Sequence, residues 1–318
     1  MSPLPRDPAA LAELVLAGDR RAIARAVSWV ENDDPQAAVI AARIWAQTGR
    51  ARMIGITGPP GAGKSTLIGA LVRHLRATDL TVGVVAVDPS SPFTSGAVLG
   101  DRVRLVDHDV DPGVFFRSMG SRGRLGGIAR ATHLAAAVLD AAGFDVVLVE
   151  TVGAGQSDIR IADLVDCVVL ALQPGSGDSV QAIKAGVMEI PDVICMTKAD
   201  VADAPAFLGE LRLALSTDPD HAPALVEVSA QTGSGIDELW AAIVERWEGL
   251  GEEGRSERRR TGLERELVAG AAGRAAERAR RALGDDPTLA SALQDLHRRA
   301  TDPLQVAALL DDRIGGSA

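Results

Sequence analysis

The stretch "RMIGITGPPGAGKSTLIGAL", Arg52 to Leu71, runs from a short β-branched segment through a turn of glycines and prolines into an apolar helical pattern. Within it, Gly58-x-x-x-x-Gly63-Lys64-Ser65 has the spacing of a phosphate-binding loop, in the strand–loop–helix setting that the motif requires. Glycines tolerate positive φ, so consecutive N–H groups can curl toward one anion, and the positive end of the following helix adds to the pull. Gly58, Pro59, Pro60, Gly61, Ala62 and Gly63 are expected to form the cradle. Lys64 is then the residue that reaches the β- and γ-phosphates, Ser65 offers its hydroxyl to Mg²⁺, and Thr66 contacts the α-phosphate.

The same texture continues from Met53 to about Gly249. The runs "RMIGIT", "TVGVVAV", "DVVLVE", "CVVLAL", "DVICMT" and "ALVEVS" alternate with helical patterns, and each is almost continuously apolar. Such runs belong to strands covered on both faces. Strands separated by helices give an α/β fold of the P-loop NTPase type, a doubly wound, mainly parallel sheet. Residues 51–250 therefore read as the nucleotide-binding domain. Residues 1–50 form an N-terminal helical extension, with Leu11, Leu14, Val15, Ile23, Val27 and Val30 near helical spacing. Residues 251–318 form a C-terminal helical region that packs either on its own domain or on a second subunit. The basic run Arg255 to Arg260 reads as a solvated helix start or linker.

Composition excludes several classes. The net charge is -10 over 318 residues, which repels the phosphates of nucleic acid, and aromatics are only 3%, too few for base-stacking platforms. No apolar run approaches the roughly 18 residues of a membrane span, and the N-terminal segment lacks a convincing secretion signal, so the cytoplasm is expected. Cys167 and Cys195 stand singly inside apolar runs, as core thiols do, and form neither a disulfide framework nor a zinc site.

Downstream motifs point to the base. "ICMTKAD" ends a strand with Thr197-Lys198-x-Asp200, a variant of the Asn-Lys-x-Asp guanine reader. A carboxylate at Asp200 accepts from guanine N1–H and the 2-amino group together; adenine offers neither, and an unmatched buried acceptor costs about 1–3 kcal/mol. Lys198 lays its stem along the purine, and the Ser229-Ala230-Gln231 backbone meets guanine O6. Thr197 stands where asparagine is usual, which removes an amide that ties this loop to the phosphate loop. Between these motifs, a right-handed crossover after the helix from Lys64 to about Ala77 brings "TVGVVAVD" parallel to the first strand and Asp88 to the phosphates. Glu150, closing "VVLVE", occupies the position of a Walker B acid beside Mg²⁺, and Gly153 can offer its N–H to the γ-phosphate. Ala154 follows Gly153, so the usual water-positioning glutamine is absent; Gln156 is the candidate two residues on. Slow intrinsic turnover, accelerated by a partner, is the expectation.

"GPPGAGKST", "VAVDPSSPFTSGAVLGDRVR", "FFRSMGSRGRLGGIA", "VLVETVGAGQSD", "QPGSGDSVQAIKAG" and "TKAD" together resemble the MeaB/ArgK group of P-loop GTPases, which includes the human methylmalonic aciduria type A protein. The resemblance covers most of the chain. It implies a homodimeric GTPase, with GTP/GDP and Mg²⁺, that acts as chaperone for an adenosylcobalamin-dependent acyl-CoA mutase, gating cofactor loading and protecting the mutase. It also implies that Asp88 and Asp101 are switch I acids, that Glu150 is the switch II acid, and that Gln173 to Lys184 form a third switch contacting the mutase, with Lys184 a functional member. Arg117, Arg122 and Arg124 in "RSMGSRGRLGG" either meet a partner's acidic surface or solvate a long loop.

Two other classes compete. A P-loop kinase would pass the γ-phosphate to a protein or small-molecule acceptor and release no inorganic phosphate. A metallochaperone would carry a Cys-x-x-Cys or histidine-rich tract, against which stand five scattered histidines and two isolated cysteines.

Overall fold

The computed structural model describes residues 3–88, 111–120, 125–151, 161–175, 191–215 and 223–315. Three helices come first: α1 (Pro8–Leu16), α2 (Arg20–Glu31) and α3 (Gln36–Ile44). Asp7 and Asp19 start the first two by accepting backbone N–H groups from Ala9 and Ala10, and from Arg21 and Ala22. Then follow β1 (Arg52–Thr57), α4 (Lys64–Ala77), β2 (Val82–Asp88), β3 (Val114–Gly120), α5 (Leu125–Ala141), β4 (Val146–Glu150), β5 (Cys167–Leu172), β6 (Val193–Met196), α6 (Ala204–Leu215), β7 (Ala224–Glu227), α7 (Ile236–Gly249) and α8 (Gly251–Asp285). Two helices close the chain, α9 (Pro287–His297) and α10 (Pro303–Gly315).

Among the described residues, seven strands form one sheet in the order β3-β2-β4-β1-β5-β6-β7, and every pair is parallel. Alternate residues of each strand feed opposite layers. On β4, Val146 and Leu148 join Leu67, Ile68 and Leu71 of α4 and Leu239 and Ile243 of α7. Val147 and Val149 join Leu11, Val15, Ile23, Val27 and Ile40 of the N-terminal helices, with Val138 and Leu139 of α5. The N-terminal helices are thus one cover of the sheet. Further along the same face, Leu170, Leu172, Ile194 and Met196 pack on Phe207, Leu208 and Leu211 of α6.

One strand departs from the sequence expectation. Val114–Gly120 is β3, an edge strand paired with β2 from Val82↔Val114 to Asp88↔Gly120. Its polar Arg117 and Ser118 interrupt the apolar run, a pattern that a strand with one neighbour among the described residues can bear. Arg117 is consequently a strand residue that donates to Glu31 Oε2 at 2.7 Å and Ser28 Oγ at 3.1 Å on α2, and does not belong to a solvated loop. Glu31 Oε1 also accepts the Gly120 N–H at 3.2 Å. Arg122 and Arg124 lie outside the described residues.

The basic run is the second departure. Arg255 to Arg260 are helical, and they brace the first half of α8 against the starts of the strands. Arg259 donates to both oxygens of Asp166 at 2.7 and 2.6 Å and to Ala51 O at 3.0 Å. Arg258 donates to both oxygens of Asp192 at 3.1 and 2.9 Å. Asp166 and Asp192 in turn accept the N–H groups of Met53 and Val168, locking the entries of β1 and β5. Gly262 brings α8 so close to Asp163 that a Cβ there would sit 1.8 Å from the Asp163 carbonyl oxygen. Local charge spacing carries no trace of these partners, which are 66 and 93 residues away.

The chain divides into two compact units, Met1–Leu263 and Glu264–Ala318. In the second, Asp286 caps α9 through the N–H groups of Thr288 and Leu289, and Leu289 and Val306 are buried. No described helix is long and apolar enough to cross a membrane.

Candidate functional site

The phosphate loop hangs between the end of β1 and the start of α4, and its shape follows from three glycines. Gly58 has φ 139, and a Cβ on it would lie 2.1 Å from Ala171 O on β5. Gly61 (φ 80) and Gly63 (φ 81) supply the left-handed turns that curl the chain, and Gly63 begins α4 with no side chain capping the helix. Pro59 and Pro60 stiffen the bend, and Ala62 is buried with its N–H 3.1 Å from Pro59 O. Thr66 is exposed in the first helical turn.

Lys64 is 8% exposed, and its ammonium donates to Gly58 O at 2.7 Å and Pro59 O at 3.1 Å, lying across the loop it serves. Ser65 donates its hydroxyl proton to Glu150 Oε1 at 2.8 Å. That bond leaves the Ser65 oxygen's lone pairs for a cation and places a carboxylate beside it. A hydroxyl, one or two carboxylates, phosphate oxygens and waters make a fitting set for Mg²⁺. Glu150 reaches the spot because β4 lies between β1 and β2, in register with Ile56 on one side and Ala86 on the other. Asp88 ends β2 two residues beyond Ala86, so its backbone stands at the same sheet edge.

The base loop follows β6 and adjoins the phosphate loop. Thr197 is 3% exposed, and its hydroxyl lies 2.7 Å from Ala62 O and 3.0 Å from Leu172 O. Replacing asparagine therefore does not cut the tie between the two loops: the threonine hydroxyl makes it, a correction to the sequence expectation. Lys198 adopts φ 54, in the left-handed region, and its ammonium contacts the Gln173 side-chain oxygen and lies 3.5 Å from Gly61 O. Asp200 is exposed. A hydrogen bond from the Ser229 hydroxyl, and one from its own backbone, hold its carboxyl below the ordinary value of 3.8. Ser229 is itself buried, fixed by its N–H to Ser234 O at 2.9 Å, and Ala230 and Gln231 follow in the turn after β7. The carboxyl ends of β1, β4, β5, β6 and β7 thus bring together Gly58 to Thr66, Glu150, Gln173, Thr197, Lys198, Asp200 and Ser229 to Gln231. Asp101, Gly153, Gln156 and Lys184 lie outside the described residues, as does the Asp88 side chain.

Sequence reading missed the Lys198–Gln173 contact. No signal in the chain marks it, since it depends on the left-handed backbone at Lys198, a conformation that lysine rarely takes.

The chain is similar to several known proteins. The family model for "Methylmalonyl Co-A mutase-associated GTPase MeaB" matches residues 23–281. A Pyrococcus horikoshii protein named as a GTPase is 45% identical over 313 residues, covering 96% of this chain and 98% of its own. The GTPase ArgK of Escherichia coli is 38% identical over 239 residues, 72% of each chain. The crystal structure of an LAO/AO transport system kinase superposes with a TM-score of 0.74 at 26% identity, covering 99% of this chain and 100% of that one.

Proposed function

The chain belongs to the MeaB family of methylmalonyl-CoA mutase-associated GTPases, and from that premise we propose that it is a cytoplasmic, GTP-driven chaperone of an adenosylcobalamin-dependent acyl-CoA mutase. In this reading its nucleotide state gates cofactor loading and protects the mutase from inactivation. The observation that carries the nucleotide half is the joining of a phosphate cradle to a Lys-x-Asp base loop through Thr197 and Ala62.

In the hydrolysis step, water attacks the γ-phosphorus, the bond to the β–γ bridging oxygen breaks, and GDP and inorganic phosphate leave. Lys64 exchanges the carbonyls of Gly58 and Pro59 for the β- and γ-phosphate oxygens, where a fixed cation offsets the charge that develops. Ser65 and Glu150 would hold Mg²⁺, with Asp88 and Asp101 as further acids, and the ion when bound supplies charge neutralisation at the phosphates. Asp200 and Lys198 orient the guanine, with the Ser229-Ala230-Gln231 backbone at O6. Gly153, Gln156 and Lys184 complete the proposal as γ-phosphate contact, water-positioning residue and mutase-facing switch. With alanine at 154, turnover is slow alone and rises when the mutase binds. A homodimer is proposed as well, supported by exposed Leu267, Val268, Leu293 and Leu304 in the second unit; light scattering at micromolar protein tests it.

Two measurements separate the halves of the proposal. Calorimetry with Mg²⁺ should give heat with GTP and GDP, and heat with ATP alone refutes the guanine assignment. Lys64→Ala should lose nucleotide while keeping the circular dichroism of the native fold. GTP turnover, measured alone and with candidate adenosylcobalamin-dependent mutases, should be stimulated by one of them; no stimulation by any refutes the chaperone role. The likeness to a protein described as a transport system kinase keeps γ-phosphate transfer to an acceptor as the second reading. Stoichiometric release of inorganic phosphate excludes it.

A further inference from the structure

We propose that Thr57 and Thr151 are positioning residues, whose joined hydroxyls hold the end of β4, and with it the Glu150 carboxylate, at the root of the phosphate loop for Mg²⁺. The inference rests on the nucleotide and Mg²⁺ reading above.

Glu150 stands on the last rung of its ladder. It is the final residue of β4 in register with a neighbour on either side, Ile56 of β1 and Ala86 of β2. The next residue, Thr151, still donates its N–H to Ile56 O at 3.1 Å, and its hydroxyl donates to the Thr57 hydroxyl at 2.9 Å. Both threonines are buried. Thr57 is a firm post: it closes β1, lies in register with Leu170 of β5, and immediately precedes Gly58. The hydroxyl bond therefore fastens the strand that carries the acid to the strand from which the phosphate loop springs.

The residue types point to the hydroxyls rather than to side-chain shape. Val147 and Val149 of β4 pack in the layer of the N-terminal helices, and Thr151 is the next position on that alternating row. Valine would continue the row with nearly the same outline. A buried hydroxyl costs free energy unless it is hydrogen-bonded, and here each threonine meets that need in the other.

The phosphate loop is thus clasped to β4 at both ends. At the far end Ser65 donates to Glu150 Oε1 at 2.8 Å, and at the near end Thr151 meets Thr57. The far clasp consists of the groups proposed to hold Mg²⁺, so its geometry answers to the ion. The near clasp includes neither group and keeps the strand end in place whatever occupies the site. Groups behind a metal ligand govern its affinity by orienting it, because a ligand already in place need not be ordered when the ion arrives.

The test measures binding of a non-hydrolysable GTP analogue to the full chain by calorimetry, once with excess Mg²⁺ and once with a chelator. The ratio of the two affinities is the contribution of the ion. Thr151→Val should shrink that ratio about three- to tenfold, the loss of one buried hydrogen bond, while affinity in the chelator stays within about twofold of native. Thr57→Val should do the same. The double variant should lose no more than either single one, since all three lack the same bond. Thr151→Ser, which keeps the hydroxyl, should restore the ratio. Where circular dichroism shows that a valine variant does not fold, alanine replaces it in the same comparison. The proposal is overturned if the single variants keep the native ratio, if affinity falls equally with and without Mg²⁺, if the two losses add in the double variant, or if serine fails to rescue. Those failures leave the nucleotide reading standing. A native chain whose binding Mg²⁺ does not strengthen instead overturns the Mg²⁺ assignment, and this inference with it.

Discussion

Removing the Arg259 side chain tests whether the start of α8, up to Leu263, is braced on the strands of the nucleotide-binding unit. The Asp166 carboxylate is fully buried, and the Arg259 guanidinium, 25% exposed, grips both its oxygens at 2.7 and 2.6 Å. Burial alone pulls the arginine's pKa down, but the Asp166 hydrogen bonds and charge, with Asp140 behind, outweigh it and hold the pKa above the usual arginine value. In Arg259→Ala the Asp166 charge stays buried, left with the Met53 amide at 3.0 Å. Orphaning one member of a buried pair costs about 3–5 kcal/mol, and the partly wet guanidinium places this case near the lower figure. Arg246→Ala is the internal control. That arginine is 46% exposed, and its partner Asp192 keeps the two bonds from Arg258, so a loss below about 1 kcal/mol is expected. Urea titration followed by circular dichroism gives both numbers. Adding Asp166→Asn to Arg259→Ala should recover part of the loss, because the unpaired charge is gone. Nucleotide affinity, measured below the unfolding transition, should be unchanged, since β5 runs from Cys167 beside this pair to Leu172 at the site. If Arg259→Ala costs no more than Arg246→Ala, or if Asp166→Asn restores nothing, the brace is not what holds the start of α8.

Four further outcomes follow. Gly58→Ala should abolish GTP binding and destabilise the fold by more than the ~1–3 kcal/mol of backbone strain alone, because its Cβ would meet Ala171 O at 2.1 Å. Gly61→Ala, with its nearest atom at 3.5 Å, should cost the strain only; urea titration and calorimetry should rank the two in that order. Asp200→Asn should shift preference from GTP toward xanthosine triphosphate, whose 2-oxo group suits an amide, and competition binding reads the change. Asp200's carboxyl is depressed in the folded protein, so its contribution is fully present above the ordinary 3.8 and is lost only as pH falls through its lower native value; base discrimination should be flat from pH 8 to pH 5. Cys167 and Cys195 are buried, and burial pushes both thiols well above their normal pKa, so neither should react with a thiol-specific disulfide reagent at pH 8 until the chain is unfolded.

The sequence made most of the architecture readable because its signals were local. A glycine-lysine-serine turn between strand and helix, and apolar runs of strand length, each carry their meaning in a few neighbouring residues. What escaped was non-local or marginal. β3 was hidden because Arg117 and Ser118 break its apolar run, which a strand with one neighbour among the described residues can bear. The role of Arg258 and Arg259 was hidden because their acids come from loops far back in the chain. Thr197 was misjudged for a different reason: its effect was inferred from the group that is missing, whereas a hydroxyl on the same buried backbone can reach the same carbonyl.

The grip of Glu31 on β3 has a practical consequence for anyone wishing to shorten this protein. A fragment that starts at Arg52 would retain every nucleotide motif and look complete on paper. It would nonetheless discard the carboxylate that fastens Gly120, the residue paired in register with Asp88. The opening helices are therefore a keel laid before the deck: cut them away, and the outer rim of the nucleotide site loses its mooring although no residue of that rim has been touched.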